Sequence, residues 1–507
     1  MISSEFNIIK QHIGIKLLNY LLNEKEKITN VLSFEKIDFT DNQIKVLEDL
    51  YERIQHLKIL LIKDNRLSVN EDLASNFPNY LIENQNPFNF YRKKCGGKFP
   101  SIPKNDKILE FLLNICIREY PNFLLNPSNV TFKKDHNIYL GKKDIIEFNL
   151  LISKDVLYEI TNKEENNMSN IYFLKLENNQ AYSGWAHQLC STIIERSFYN
   201  SCYKMKYDLI EVIKEVKINL EKVRKLIKNE EIEYSTYVGV KGLEFVGFKE
   251  LNIENITIRQ IKDFSTPSPH FPKIILGKNH GCIVEIKHTT KKIKDDLTNN
   301  IDINNENENI IERLRLSFIF SSLEDKSIST TFYEDGFPLH KTGNSYGIED
   351  KPLRKVQINK KQKKQILFWY DHLNLVDLSN VQVPIKRLKM AILERNNPED
   401  SILDAMIAWE GMFSDSFETV FKVTGSIFKF ISPHNSNISY DRLKTLYDIR
   451  SELVHGKYGK KLKKENLQAL RSEVIQIGLE CLSHLLQNEK LLKLEPSERV
   501  KKIMLDL

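Results

Sequence analysis

The 507-residue chain reads as a multidomain α+β protein, with a helix-rich N-terminal region, a small β-rich insert and an all-α bundle at the C-terminus. Three observations predict this. Apolar residues recur at helical spacing over residues 1–130 and again from Pro398 onward. Between 236 and 290 the period switches to two among many glycines. The length is well beyond one ordinary core and implies roughly three units of ~150 residues.

The bulk composition narrows the function classes. Hydrophobic residues at 41% and charged residues at 28% suffice to bury an interior without a disulfide or metal staple. The net charge of +6 is too mild to mark a nucleic-acid binder by itself, so the placement of charge matters more. Cys95, Cys116, Cys190, Cys202, Cys282 and Cys481 form no Cys-x-x-Cys pair, which argues against a zinc site or a disulfide framework and fits a reducing cytoplasm. Charges interrupt the apolar residues of the N-terminus, and no apolar run approaches the ~18 residues of a spanning helix. A cytoplasmic protein with no membrane partner, metal or cofactor is expected.

In chain order, Ile8, Ile9, Ile13 and Leu17, then Leu109, Leu112, Leu113 and Cys116, predict helices. The stretch 91–104, with Gly96, Gly97, Pro100 and Pro103, predicts a basic surface turn. Alternation at Val130 and Phe132, and at Ile171, Phe173 and Leu174, predicts a few strands within 129–160 and 170–177. A long helix is expected at 186–228, carrying the stripe Leu209, Val212, Ile213, Val216, Leu220, Val223 and Leu226. These elements make a first region, 1–235. The second, 236–350, is β-rich, with a further strand pair at 316–333. It contains 295–312, which holds six acidic residues, six asparagines and no basic residue and is expected to be a loop. Residues 351–364 are half lysine or arginine, and a boundary near 365–385 leads into a helical domain at 385–507.

Chemistry concentrates in that last domain. Leu403, Met406, Glu410, Phe413 and Phe417 share a stripe on the helix after Pro398, so Glu410 sits within an apolar face. A carboxylate there requires a cationic partner. A second helix, with Val420, Phe421, Thr424, Ile427, Phe428 and Ile431 on one side, stops at Ser432-Pro433. Ser439 then caps a third, whose inward stripe is Leu443, Leu446, Tyr447, Arg450 and Val454. Arg450 is the partner expected for Glu410. His455 falls in the last turn, about 7.5 Å of rise beyond Arg450, and Gly456 follows as the stop. Lys457, Lys460, Lys461, Lys463 and Lys464 come next and would attract phosphate.

The segment LYDIRSELVHG, with the preceding AMIAWEGMF, resembles the Arg, four residues, His signature and the glutamate helix of the Apea-like group of HEPN domains. The likeness spans roughly residues 385–490. It implies an all-α HEPN-type bundle that pairs with its own copy and cleaves RNA without metal, by attack of the ribose 2′-hydroxyl on the adjacent phosphate. On this reading Arg450 and His455 are catalytic. Glu410 supports Arg450, Ser451 stands where many members carry an amide or acid, and the lysines at 457–464 bind RNA. The resemblance further implies a role in defence against phage by abortive infection, with residues 1–380 sensing, recruiting or restraining.

Two other readings stand beside it. Arg450–Glu410 could be an internal salt bridge in a non-catalytic module that dimerises or binds nucleotide or RNA. Alternatively, GCIVEIKH (281–288) places Glu285 and Lys287 on one side of a strand, a faint likeness to restriction-type nucleases that would need Mg²⁺, with Asp263 as the upstream acid. No Gly-x-Ser-x-Gly elbow or Walker loop occurs.

Overall fold

The computed structural model describes residues 3–24, 28, 37–64, 82, 85–124, 138, 140–162, 171–177, 180–206, 208–261, 281–292, 303–323, 328–340, 356–414, 419–435, 437–455 and 466–505. It is a mixed helix and sheet structure, as expected.

The N-terminal helices α1 (Ser3–Ile13), α2 (Ile15–Leu21), α3 (Asp41–Asp64), α4 (Pro87–Lys94) and α5 (Lys107–Phe123) share one core through Phe6, Leu17, Leu50, Phe88 and Leu112. Helix α4 starts where the Asn86 side chain accepts from the Phe88 amide and Pro87 takes the first helical position. It runs to Lys94, into the segment expected to be a turn, and Gly96 at φ +80° closes it. Two of the basic residues there, Arg92 and Lys94, are engaged within the fold. Arg92 donates to the Tyr20 carbonyl at 2.6 Å and lies 4.3 Å from the Tyr20 ring centroid, and Lys94 sits 3.5 Å from Asp49.

The strand expectation over 129–160 is corrected. Val130 and Phe132 lie outside the described residues, while Lys142–Ile152 is helix α6. Phe148 and Ile152, four apart, are its buried residues, so helical spacing prevails over β-branched content. The strand expectation over 170–177 holds. Strands β1 (Thr161–Asn162), β2 (Ile171–Lys175) and β3 (Ala181–Trp185) form an antiparallel sheet whose Tyr172, Leu174 and Tyr182 face the same core. The single helix expected at 186–228 is two, α7 (Gln188–Tyr203) and α8 (Leu209–Ile227). Met205 at φ +60° ends one turn, and Asp208 caps the next helix by accepting from the Ile210 and Glu211 amides.

The β-rich expectation holds. Strands β4 (Ile232–Lys241), β5 (Leu243–Phe245), β6 (Glu250–Ile253), β7 (Ile256–Ile261) and β8 (Gly281–Thr290) precede α9 (Ile303–Ser322) and β9 (Ser329–Asp335). An antiparallel sheet runs β6-β7-β8-β4-β9, so the boundary expected at 235 cuts through β4. Val238, Val284 and Ile286 cluster with Ile311, Leu314 and Phe318 of α9. On the opposite face Tyr237 stacks on Tyr203 of α7 at 4.6 Å. Fully buried Arg196 of α7 donates to Glu334 of β9 at 2.7 Å and to the His340 carbonyl, tying helix to sheet edge.

Helix α9 overturns two expectations. Residues 303–312 are not a loop, because Asn307, Ile310, Ile311 and Leu314 supply a buried helical face that the acidic, asparagine-rich composition hides. Residues 295–302 lie outside the described residues. Among the described residues of 316–333, those to Ser322 continue helix α9 and the strand starts at Ser329.

Strand β10 (Val356–Ile358) pairs in parallel with β5, and α10 (Lys360–Leu375) follows, capped by Asn359. Helix α10 spans the boundary expected near 365–385, placing Ile366 and Tyr370 in the sheet core and Trp369 and Leu373 in the C-terminal core. Beyond it the described residues are helical: α11 (Gln382–Lys389), a π-turn (Met390–Glu394), α12 (Pro398–Phe413), α13 (Thr419–Ile431), α14 (Tyr440–Val454), α15 (Leu467–Leu486), α16 (Glu489–Leu492) and α17 (Pro496–Met504). Trp409 is the buried centre, its indole donating to the Val474 carbonyl at 3.2 Å. Gly478 lets α15 approach, since a Cβ there would meet Trp409 Nε1 at 3.0 Å and Leu388 at 2.9 Å. Buried Arg499 donates to the carbonyls of Met412, Leu491 and Leu494, satisfying helix ends that would otherwise lack donors.

A candidate active site between two helices

Helix α12 begins at Pro398 after Asn397, which accepts from the Glu399 amide, and Glu410 falls in its last turn. Helix α14 begins after Ser439, whose hydroxyl accepts from the Arg442 amide at 3.2 Å, the cap the sequence predicts. These two starts set the phase in which Glu410 meets Tyr447 and Arg450. Arg450 Nη2 lies 3.1 Å from Glu410 Oε1 and 3.2 Å from Oε2. The Tyr447 hydroxyl donates to Oε1 as well. The arginine also lies 5.6 Å from the Tyr447 ring centroid. Burial, reinforced by that hydrogen bond to the carboxylate, holds the Tyr447 phenol well above its ordinary range.

The pairing does not exhaust Arg450. Its Nε is buried with no hydrogen-bond partner, while the side chain as a whole remains 28% exposed. The side chain is thus half-buried, and its carboxylate contact fixes the direction of the guanidinium. His455 follows the last helical residue, its amide donating to the Ser451 carbonyl at 3.1 Å, and its side chain is exposed. Ser451 is exposed on the last turn of α14. Lys457, Lys460, Lys461, Lys463 and Lys464 lie outside the described residues, as does Gly456.

Three side chains depart from the expected stripes. Val454 faces outward, 54% exposed, and Ile449 takes the buried place. Val420 and Phe421, assigned to the inner stripe of α13, are 41% and 52% exposed, while Val423, Thr424, Ile427 and Ile431 are buried. Most of each expected stripe is buried or half-buried, and the departures fall at the helix ends beside His455, where apolar residues occupy more than one side. Phe417 lies outside the described residues. The tyrosine was missed as a partner of Glu410. Its position three residues before Arg450 on one helical face was the available signal.

The second candidate, Glu285 and Lys287, is arranged differently. Both point to one side of β8, but Glu285 is buried and accepts from Ser235 at 2.8 Å and from Arg259. Burial alone would raise its carboxyl. The hydrogen bond and charge of Arg259, with Ser235, outweigh this and hold it below the usual range. Lys287 is exposed, 3.5 Å from Glu233. Glu285 is thus committed to an internal pair, and Asp263 lies outside the described residues. Among the described residues no three His, Cys, Asp or Glu side chains gather in metal-ligating geometry, all six cysteines are free thiols, and no helix is long and apolar enough to cross a membrane. Comparison with protein families, with curated proteins and with solved structures finds no match.

Proposed function

We propose that the protein is a HEPN-type endoribonuclease in which Arg450 and His455 cut RNA without metal. The observation that carries this reading is a half-buried arginine held by Glu410, five residues before an exposed histidine at the end of the same helix. Such a pair suits transesterification. His455 takes the proton of the ribose 2′-hydroxyl as that oxygen attacks the adjacent phosphorus, or returns a proton to the departing 5′-oxygen. Arg450 stabilises charge on the phosphoryl oxygens. The bond to the 5′-oxygen breaks, leaving a 2′,3′-cyclic phosphate and a 5′-hydroxyl. Glu410 is a positioning residue, with Tyr447 holding its second partner site.

The reading includes a second copy of the chain. Helices α13 and α14 pack together across a short connection, the arrangement of an antiparallel hairpin. Val420, Phe421 and Val454 therefore lie at the same end of the hairpin as His455, and each exposes its apolar side chain. Burying them against a second copy would bring two Arg450–His455 sets together. Cytoplasmic defence against phage, with residues 1–380 restraining or triggering the nuclease, is the role the resemblance suggests.

End-group analysis of the RNA products tests the chemistry. Cyclic phosphate ends that disappear with His455→Ala support it, and 3′-hydroxyl ends contradict it.

A further inference from the structure

We propose that the outer face of the β1–β2–β3 sheet is a stacking platform for single-stranded RNA, a reading that rests on RNA being the substrate of the site above. Period two turns Tyr172 and Leu174 of β2 and Tyr182 of β3 into the core. It leaves Ile171, Phe173 and Lys175, with Ala181, Ser183 and Trp185, on the other side. Phe173 is 51% exposed and Trp185 43%. Scattered apolar residues on a surface are ordinary, but two rings on adjacent strands of one sheet face are a shaped surface.

The register defines the shape. Trp185 stands opposite Ile171, Ser183 opposite Phe173 and Ala181 opposite Lys175. Phe173 and Trp185 are therefore diagonal neighbours, their backbone positions about 7–8 Å apart, and the residue directly across from Phe173 is too small to cover it. The backbone beneath is fixed. Tyr172 is fully buried, a Cβ at Gly184 would meet its ring at 3.0 Å, and the Trp185 amide donates to Gln188 Oε1 at 3.2 Å. A rigid shelf of this kind offers stacking at low entropic cost to any base, since every base has a π-face.

Charge selects nucleic acid as the occupant. Lys175 shares the face, and the chain at 291–292 is bridged to the end of β2 through Leu176 and Lys292 and by the Glu177 amide donating to the Lys291 carbonyl at 3.1 Å. Lys292, paired with buried Leu176, turns to the core side, so two lysines, Lys175 and Lys291, lie on the ring side, together with Glu177, which is 3.8 Å from Lys291. Bases on rings with phosphates beside lysines is the pattern by which single strands are held without sequence preference. The apolar area, two rings and Ile171 broken by Ser183, is small for a lipid surface.

The tryptophans make this measurable. Of three in the chain, Trp369 and Trp409 are buried and Trp185 alone is exposed, so its emission reports on the platform. Full-length His455→Ala protein titrated with oligouridylate should show saturable quenching, and a duplex RNA should quench far less. Phe173→Ala should weaken the apparent affinity about tenfold and Phe173→Tyr should preserve it, while both keep the circular dichroism of the parent. Absence of quenching, equal quenching by duplex, or indifference to Phe173→Ala overturns the proposal. Quenching by anionic vesicles in place of oligouridylate does so too. Cleavage assays of the wild type separate the two readings. Cleavage without oligouridylate quenching overturns the platform alone, and quenching without cleavage overturns the ribonuclease alone.

Discussion

Arg450 reaches across from α14 to Glu410 on α12, its Nη2 3.1 Å from one carboxylate oxygen and 3.2 Å from the other, while Tyr447 donates to the same carboxylate. Removing the carboxylate charge with Glu410→Gln leaves the arginine without its counter-ion. We expect a loss of about 1–3 kcal/mol in unfolding free energy, read from urea midpoints, and a fall in RNA cleavage larger than that of Tyr447→Phe. The tyrosine variant loses one hydrogen bond but keeps the ion pair, so about 0.5–1.5 kcal/mol is expected.

The exposed apolar side chains of Val420, Phe421 and Val454, at one end of the α13–α14 hairpin, predict self-association. Phe421→Asp places a charge where a second copy would pack, and it should weaken dimerisation at least about tenfold in sedimentation equilibrium, since a buried aromatic anchor commonly carries more than ~1 kcal/mol. Its thermal midpoint should stay near that of the monomeric parent, because Phe421 is 52% exposed within one chain. An unchanged dimer would remove this surface from the account.

Buried thiols set an alkaline limit. Burial, with the nearby Glu119 charge, pushes Cys116 up to about 12, and burial pushes Cys95 up to about 11. Both bind protons more tightly folded than unfolded. Their contribution is full below the unfolded thiol value near ~8.5 and is lost as pH rises through the folded values. Stability should therefore fall between about pH 9 and 12, and Cys116→Ala should flatten part of that slope in denaturation curves taken across this range.

Arg196 and Glu334 form a fully buried ion pair, with 0% and 4% side-chain exposure. Breaking it from one side, with Arg196→Met or Glu334→Leu, strands a charge and should cost about 3–5 kcal/mol. The double variant should recover much of that loss, and a double-mutant cycle on urea unfolding gives the coupling. Simple additivity of the two losses would mean that the pair is not coupled as its geometry indicates.

The pairing of Glu410 with Arg450 was legible in the sequence because a carboxylate within an apolar stripe demands a partner, and Ser439 marked the start of α14 by ordinary capping chemistry. The facing of Val454, Val420 and Phe421 was not, since helices with apolar residues on several sides carry no single phase. Helix α9 was hidden by asparagines and acids whose exposed positions dominate the composition, although Asn307, Ile310 and Leu314 keep helical spacing. The division between α7 and α8 depends on left-handed backbone at Met205, which a non-glycine residue does not advertise. The outer face of β2 and β3 was half visible: Ile171, Phe173 and Leu174 announced a strand, but only the register with β3 places Trp185 beside Phe173.

The central claim is tested most directly by incubating total RNA with purified wild type, Arg450→Ala and His455→Ala, each with and without EDTA. Cleavage by the wild type that persists in EDTA and vanishes in both variants is the predicted result. Cleavage that EDTA abolishes and both variants retain would contradict it.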